Sequence, residues 1–81
     1  MIISIIDDQP AIRYSVSKIL KKHNHSTYEF NGQEENIIEL IQEVNTDIII
    51  LDVMLEFEKT GIDLLQEFRD NNLNTYDNST L

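Results

Sequence analysis

The 81 residues suit one small domain, and with 41% of them hydrophobic a core is within reach. The lack of cysteine excludes disulfides, thiol redox chemistry and thiolate–zinc sites. Fifteen acidic residues against six basic ones give a net charge of −9, which argues against direct binding to nucleic-acid phosphates.

Ile2, Ile3, Ile5 and Ile6, broken only by Ser4, predict a strand buried on both faces, as in a parallel sheet. This run is too short to cross a membrane, and it is followed by acids with no cleavage site. The expected location is the cytoplasm, with no membrane partner. Pro10 suits the first turn of a helix, where its missing N–H costs nothing. Ile12, Val16, Ile19 and Leu20 recur at helical spacing and predict a helix over 10–22 with these residues as its apolar stripe. Its cations, Arg13, Lys18, Lys21 and Lys22, read as a solvated face favoured near a helix C-terminus. The competing reading is a partner-docking patch. His23-Asn24-His25-Ser26 is a polar break, and its two histidines have no third metal ligand nearby.

Thr27 to Phe30 predicts a short edge strand, and Asn31-Gly32 a turn. A second helix is expected over 34–44, with Ile37, Ile38, Leu40, Ile41 and Val44 facing the core and Glu34 and Glu35 complementing its dipole. Asp47 to Asp52 carries the strongest strand signal. A loop over 53–60 leads to a third helix from Gly61, with Ile62, Leu65 and Phe68 on one face. Residues 73–81 lack apolar periodicity and read as a flexible tail, which leaves 1–72 as the domain. The order βαβαβα predicts an α/β fold with a partial doubly wound parallel sheet, strand order 2-1-3.

Two acidic sites fall where strands stop: Asp7-Asp8 after the first and Asp52 after the third. In such a sheet ligands bind at the carboxyl ends of the strands where the winding reverses, here between strands 1 and 3. Three carboxylates gathered there would form a hard-cation site, and one could accept a phosphoryl group. The plainer reading is that Asp7 and Asp8 cap a helix and Asp52 ends a strand. The agreement of topology with both acidic positions favours the site.

At these residues the sequence resembles response-regulator receiver domains. Ile5-Ile6-Asp7-Asp8-Gln9-Pro10-Ala11-Ile12-Arg13 resembles their opening, and Ile49-Ile50-Leu51-Asp52-Val53-Met54-Leu55 their phosphoacceptor strand. Asn31-Gly32-Gln33-Glu34 is similar to the turn into their second helix, and Gly61-Ile62-Asp63-Leu64-Leu65 to the start of their third. The likeness covers residues 1–72 in order. It implies a flavodoxin-like fold, a cytoplasmic two-component phosphorelay, and a sensor histidine kinase or phosphotransfer protein as partner. It also implies roles for single residues. Asp52 matches the acceptor of the phosphoryl group, Asp8 a direct Mg²⁺ ligand, Asp7 its neighbour that helps hold the ion, and Met54 a ligand through its backbone carbonyl.

The chain departs from the family in three ways. It ends before the last two strands and helices, so the family's Thr or Ser and its Lys at the site are missing, and the resemblance implies a truncated receiver with impaired output. The loop after Asp52 has Glu56 and Thr60 where the family places Pro and Gly. Lys59 in that loop reads as solvated rather than as a replacement for the lost Lys. The third strand is expected to keep an unpaired, unguarded edge, through which the chain would form a homo-oligomer. The alternative function is a non-phosphorylated module that binds a kinase or another receiver through its first helix or that strand edge. An aspartyl phosphatase, and with it an enzyme, is disfavoured because Met54 stands where the general acid would be.

Overall fold

The computed structural model describes residues 1–52 and 60–77. In chain order they form β1 (Ile2–Ile6), α1 (Pro10–Lys22), β2 (Ser26–Phe30), α2 (Ile37–Glu43), β3 (Ile48–Leu51), α3 (Gly61–Asp70) and β4 (Thr75–Asp77). The strands make one parallel sheet in the order β2-β1-β3-β4. The expected 2-1-3 arrangement is thus present and extended by a fourth strand.

That fourth strand corrects two expectations. Residues 75–77 are not tail but pair with Ile49–Leu51. The outer edge of β3 is therefore occupied over those residues, so it offers no bare edge to a second chain there. Thr75-Tyr76-Asp77 has no apolar pattern of its own. It becomes a strand because Leu73 packs beside Phe68 and carries the chain to β3, where Ile49 N–H donates to Asn74 O at 2.9 Å. Asp77, 2% exposed, lies 3.8 Å from the Arg69 guanidinium of α3.

Alternation along the strands divides the sheet into two faces. Ile6, Ile49 and Leu51 point toward α2 and α3 and join Ile37, Ile41, Leu64, Leu65 and Phe68 in the core. Ile5, Ile50 and Tyr76 line a groove with Ile12 and Val16 of α1 on the other side. Here two polar contacts join α1 to β2: the Ser17 and Thr27 hydroxyls lie 2.6 Å apart, and Arg13 Nε is 3.7 Å from Glu29 Oε1. The stripe expected to bury α1 is instead partly open, with Ile12 45% and Ile19 58% exposed. The helix is rotated so that Ser17, not the isoleucines, faces the sheet.

All three helices stop in the same way. Asn24, Asn45 and Asn72 follow the last helical turns at φ values of 67°, 58° and 58°. Each helix is closed by a pair of N–H donors, from the asparagine and from the next residue, to two carbonyls of the final turn: Lys21 and Leu20, Gln42 and Ile41, Arg69 and Phe68. These are Schellman closures with Asn in the place that glycine most often takes. Helix α3 opens on a capping box, in which Thr60 Oγ1 accepts from Asp63 N–H at 3.2 Å and the Asp63 carboxylate accepts from Thr60 N–H at 3.3 Å. Helix α2 starts later than its sequence suggests. The Glu34 carboxylate accepts from the N–H groups of Asn31 and Gly32, which holds that segment in a turn where Gly32 sits at φ 96°. Among the described residues no helix is long and apolar enough to cross a membrane.

Candidate functional site

Register places the acids. Ile6 of β1 lies beside Leu51 of β3, so the next residues, Asp7 and Asp52, fall side by side as the strands end. The ladder continues one step past the strands: Asp52 N–H donates to Ile6 O at 3.0 Å, and Asp7 N–H donates to Phe30 O at 3.2 Å. Period-two alternation then puts Asp7 and Asp52 on the face of Ile5 and Ile50. Asp8 completes the group from the turn into α1. The three residues each bring a carboxylate oxygen within 4.8 Å of the others. The structure brings together the three acids that the sequence singles out.

The turn is held through both the carboxylate and the carbonyl of Asp7. Asp7 Oδ1 accepts from Gln9 N–H at 2.8 Å, and the Asp7 carbonyl accepts from the Arg13 guanidinium one turn into α1. Pro10 at the start of the helix needs no acceptor for an N–H. Asp7 is buried, Asp8 and Asp52 half-buried. Burial pushes the Asp7 carboxyl above its ordinary value. The N–H of Gln9 opposes that, while the Asp52 charge and the neighbouring Asp8 add to it. A crevice with three acids and a proton affinity raised at its most buried member has the donors a small hard cation takes, all oxygen and close together. The residues present therefore fit Mg²⁺.

Met54, Glu56 and Lys59, which the sequence brings into the discussion, lie outside the described residues. The histidines are placed apart from the acids: His23 ends α1, and His25 Nδ1 is 3.2 Å from the amino group of Met1. Two features were missed in the sequence. One is Arg13, whose tie to the Asp7 carbonyl is a signal carried only by an Arg one turn inside the helix. The other is Asp77, which the fourth strand brings to the same end of the sheet, opposite Leu51.

Solved structures with the same fold include receivers. The BeF3-activated N-terminal receiver domain of Klebsiella pneumoniae RstA superposes with a TM-score of 0.75 at 24% identity, over 86% of this chain and 58% of that one. A CheY-like receiver domain protein from Methanospirillum hungatei JF-1 gives 0.74 at 22% identity, over 94% and 60%. The response regulator PhyR from Brucella abortus gives 0.76 at 19% identity, over 94% and 32%. The chain thus spans about three-fifths or less of the length of these chains. No curated protein matches it in sequence. The family model of the response regulator receiver domain matches residues 3–76, nearly the whole chain and both acidic positions, and the chain belongs to that family.

Proposed function

We propose that this receiver domain accepts a phosphoryl group on Asp52, with Mg²⁺ held by Asp7, Asp8 and Asp52, in a two-component phosphorelay. It acts as a signalling domain rather than an enzyme, in the cytoplasm, and takes the group from a sensor histidine kinase or phosphotransfer protein. The observation that carries this reading is the meeting of three carboxylates at the point where β1 and β3 end side by side.

The chemistry follows from the placement. An Asp52 oxygen forms a P–O bond as the P–N bond to the donor histidine breaks, and the departing imidazole nitrogen keeps the electron pair and takes a proton. Asp52 is held for this by its own N–H on the Ile6 carbonyl, which fixes the backbone beside Asp7. Asp7 and Asp8 hold the ion, and the Arg13 tie keeps their turn in place. Bound there, Mg²⁺ supplies neutralisation of charge on the phosphoryl oxygens. It also offsets the mutual repulsion of the acids: two unit charges about 4 Å apart interact by roughly 4 kcal/mol at an effective dielectric of about 20.

Incubation with Mg²⁺ and acetyl phosphate, read by intact mass, tests this. The expected result is one phosphoryl adduct that is absent from Asp52→Ala and from wild type treated with a chelator. An unmodified wild type, or an adduct that persists in Asp52→Ala, overturns it.

A further inference from the structure

Asp8 is held differently from its two partners in the crevice. Asp7 and Asp52 are placed by the sheet, through N–H bonds to the Phe30 and Ile6 carbonyls. Asp8 lies one residue beyond that ladder, in the turn before α1. Its placement passes through the peptide group that joins it to Asp7. That group is planar, so whatever fixes its oxygen fixes the plane from which Asp8 continues.

Arg13 holds that oxygen. Its guanidinium donates to the Asp7 carbonyl from one turn inside α1, while its Nε lies 3.7 Å from Glu29 Oε1. Glu29 stands directly before Phe30 on β2, opposite Ile5 in the register. Both backbone groups of Asp7 are therefore tied to the end of β2. The N–H reaches Phe30 directly, and the carbonyl reaches Glu29 through Arg13. The Arg13 side chain is only 17% exposed, and its Nε is buried with no hydrogen bond among the described residues. A cation so withdrawn from water, with an unbonded N–H, costs free energy to keep. A planar guanidinium can hold two points at set angles, which the single nitrogen of a lysine cannot.

We propose that Arg13, seated by Glu29, is a positioning residue for Asp8 and so for the divalent ion, acting through the Asp7 carbonyl. The inference rests on the ion site proposed above and adds to it a residue that supplies no ligand atom. Its sign sets it apart from a charge effect. As a charge alone, Arg13 repels a cation bound nearby, and its removal would tighten binding. As a positioning group it supports the ion, and its removal weakens binding. Loss of a group that orients a metal ligand typically costs about 10- to 100-fold in affinity.

Mg²⁺ titration of the 81-residue chain, followed by ¹⁵N–¹H spectra, tests this. The same spectra report the fold through the amides of Ile3, Ile5 and Ile50 in the sheet. Arg13→Ala is expected to bind Mg²⁺ about tenfold more weakly than wild type. Arg13→Lys keeps the charge and is expected to bind more weakly than wild type as well. Glu29→Gln is expected to weaken binding in wild type and to change nothing further in Arg13→Ala, because the two side chains act in series. Should Arg13→Ala not fold, Arg13→Lys decides. Equal or tighter binding by Arg13→Ala, wild-type affinity in Arg13→Lys, or a Glu29→Gln loss that persists in full without Arg13 overturns the proposal and leaves the ion site standing. A wild type whose Asp7, Asp8 and Asp52 signals ignore Mg²⁺ overturns the ion site itself, and this inference with it.

Discussion

The two faces of the sheet are built on different terms. Against α2 and α3, eight apolar side chains close into a core in which none is more than 6% exposed. Against α1, the polar contacts with β2 are a hydroxyl pair and a long ion pair, and two isoleucines of the helix stay half in water. The α2–α3 face holds the larger apolar cluster, while the α1 face buries Ile3 and Ile5 of β1 at 4% and 2% exposure. The acids sit where both end, so their placement depends on strand register more than on the helix that follows Asp8.

This contrast breaks most visibly in paired truncations. Phe68→Ala on the core face is expected to cost about 3–5 kcal/mol, and Ile12→Ala on the α1 face less than about 0.5 kcal/mol. Since a whole domain has only about 5–15 kcal/mol to lose, the first variant should be largely unfolded in modest urea and the second nearly native. Equal losses for the two would show that α1 is packed as tightly as α3. A smaller effect is expected in the polar seam. Ser17→Ala leaves the Thr27 hydroxyl without its 2.6 Å neighbour and should cost about 1 kcal/mol by urea denaturation. A gain in stability would mean that the seam is better replaced by apolar contact.

The smallest effect concerns the acids, and its sign follows from burial. The Asp7 carboxyl in the folded chain binds its proton more readily than at the ordinary value of 3.8. Its ionisation therefore works against folding: stability is lost as pH rises through the folded-state value and regained as pH falls from there toward 3.8. Metal-free Asp7→Asn is expected to melt a few degrees above wild type at neutral pH, with the gap closing on acidification through that window. Mg²⁺ should close the same gap from the other side, by raising the melting temperature of wild type more than that of the variant. A metal-free variant that melts below wild type at neutral pH would mean that the acids are stabilised in the crevice by contacts stronger than their repulsion.

Much of this was legible in the sequence because it rests on local pattern. Unbroken Ile runs predict buried parallel strands, and the three acids fall where those runs stop. Register then needs only that β1 and β3 be neighbours, which the winding rule supplies. The family resemblance rests on the same residues. What was illegible depends on tertiary pairing. Thr75-Tyr76-Asp77 has no strand pattern, and β3 and Arg69 make it one. The rotation of α1 was misread because Ser17 and Thr27 form a polar contact that a hydrophobic stripe cannot announce. The late start of α2 follows from Glu34 folding back on the turn, a local bond that competes with helix. Two signals were available and unused: asparagine after each helix, and Thr60 three residues before Asp63 as a capping box.

The central claim is that Asp7, Asp8 and Asp52 share one divalent ion. Substoichiometric Mn²⁺ added to ¹⁵N-labelled protein tests it directly, because the paramagnetic ion broadens only the amides near it. The account predicts loss of the Asp7, Asp8, Gln9 and Asp52 signals first, reversed by excess Mg²⁺. Broadening spread over other acidic surfaces, such as Glu35 and Glu39 around α2, with the β1 and β3 ends untouched, would contradict it.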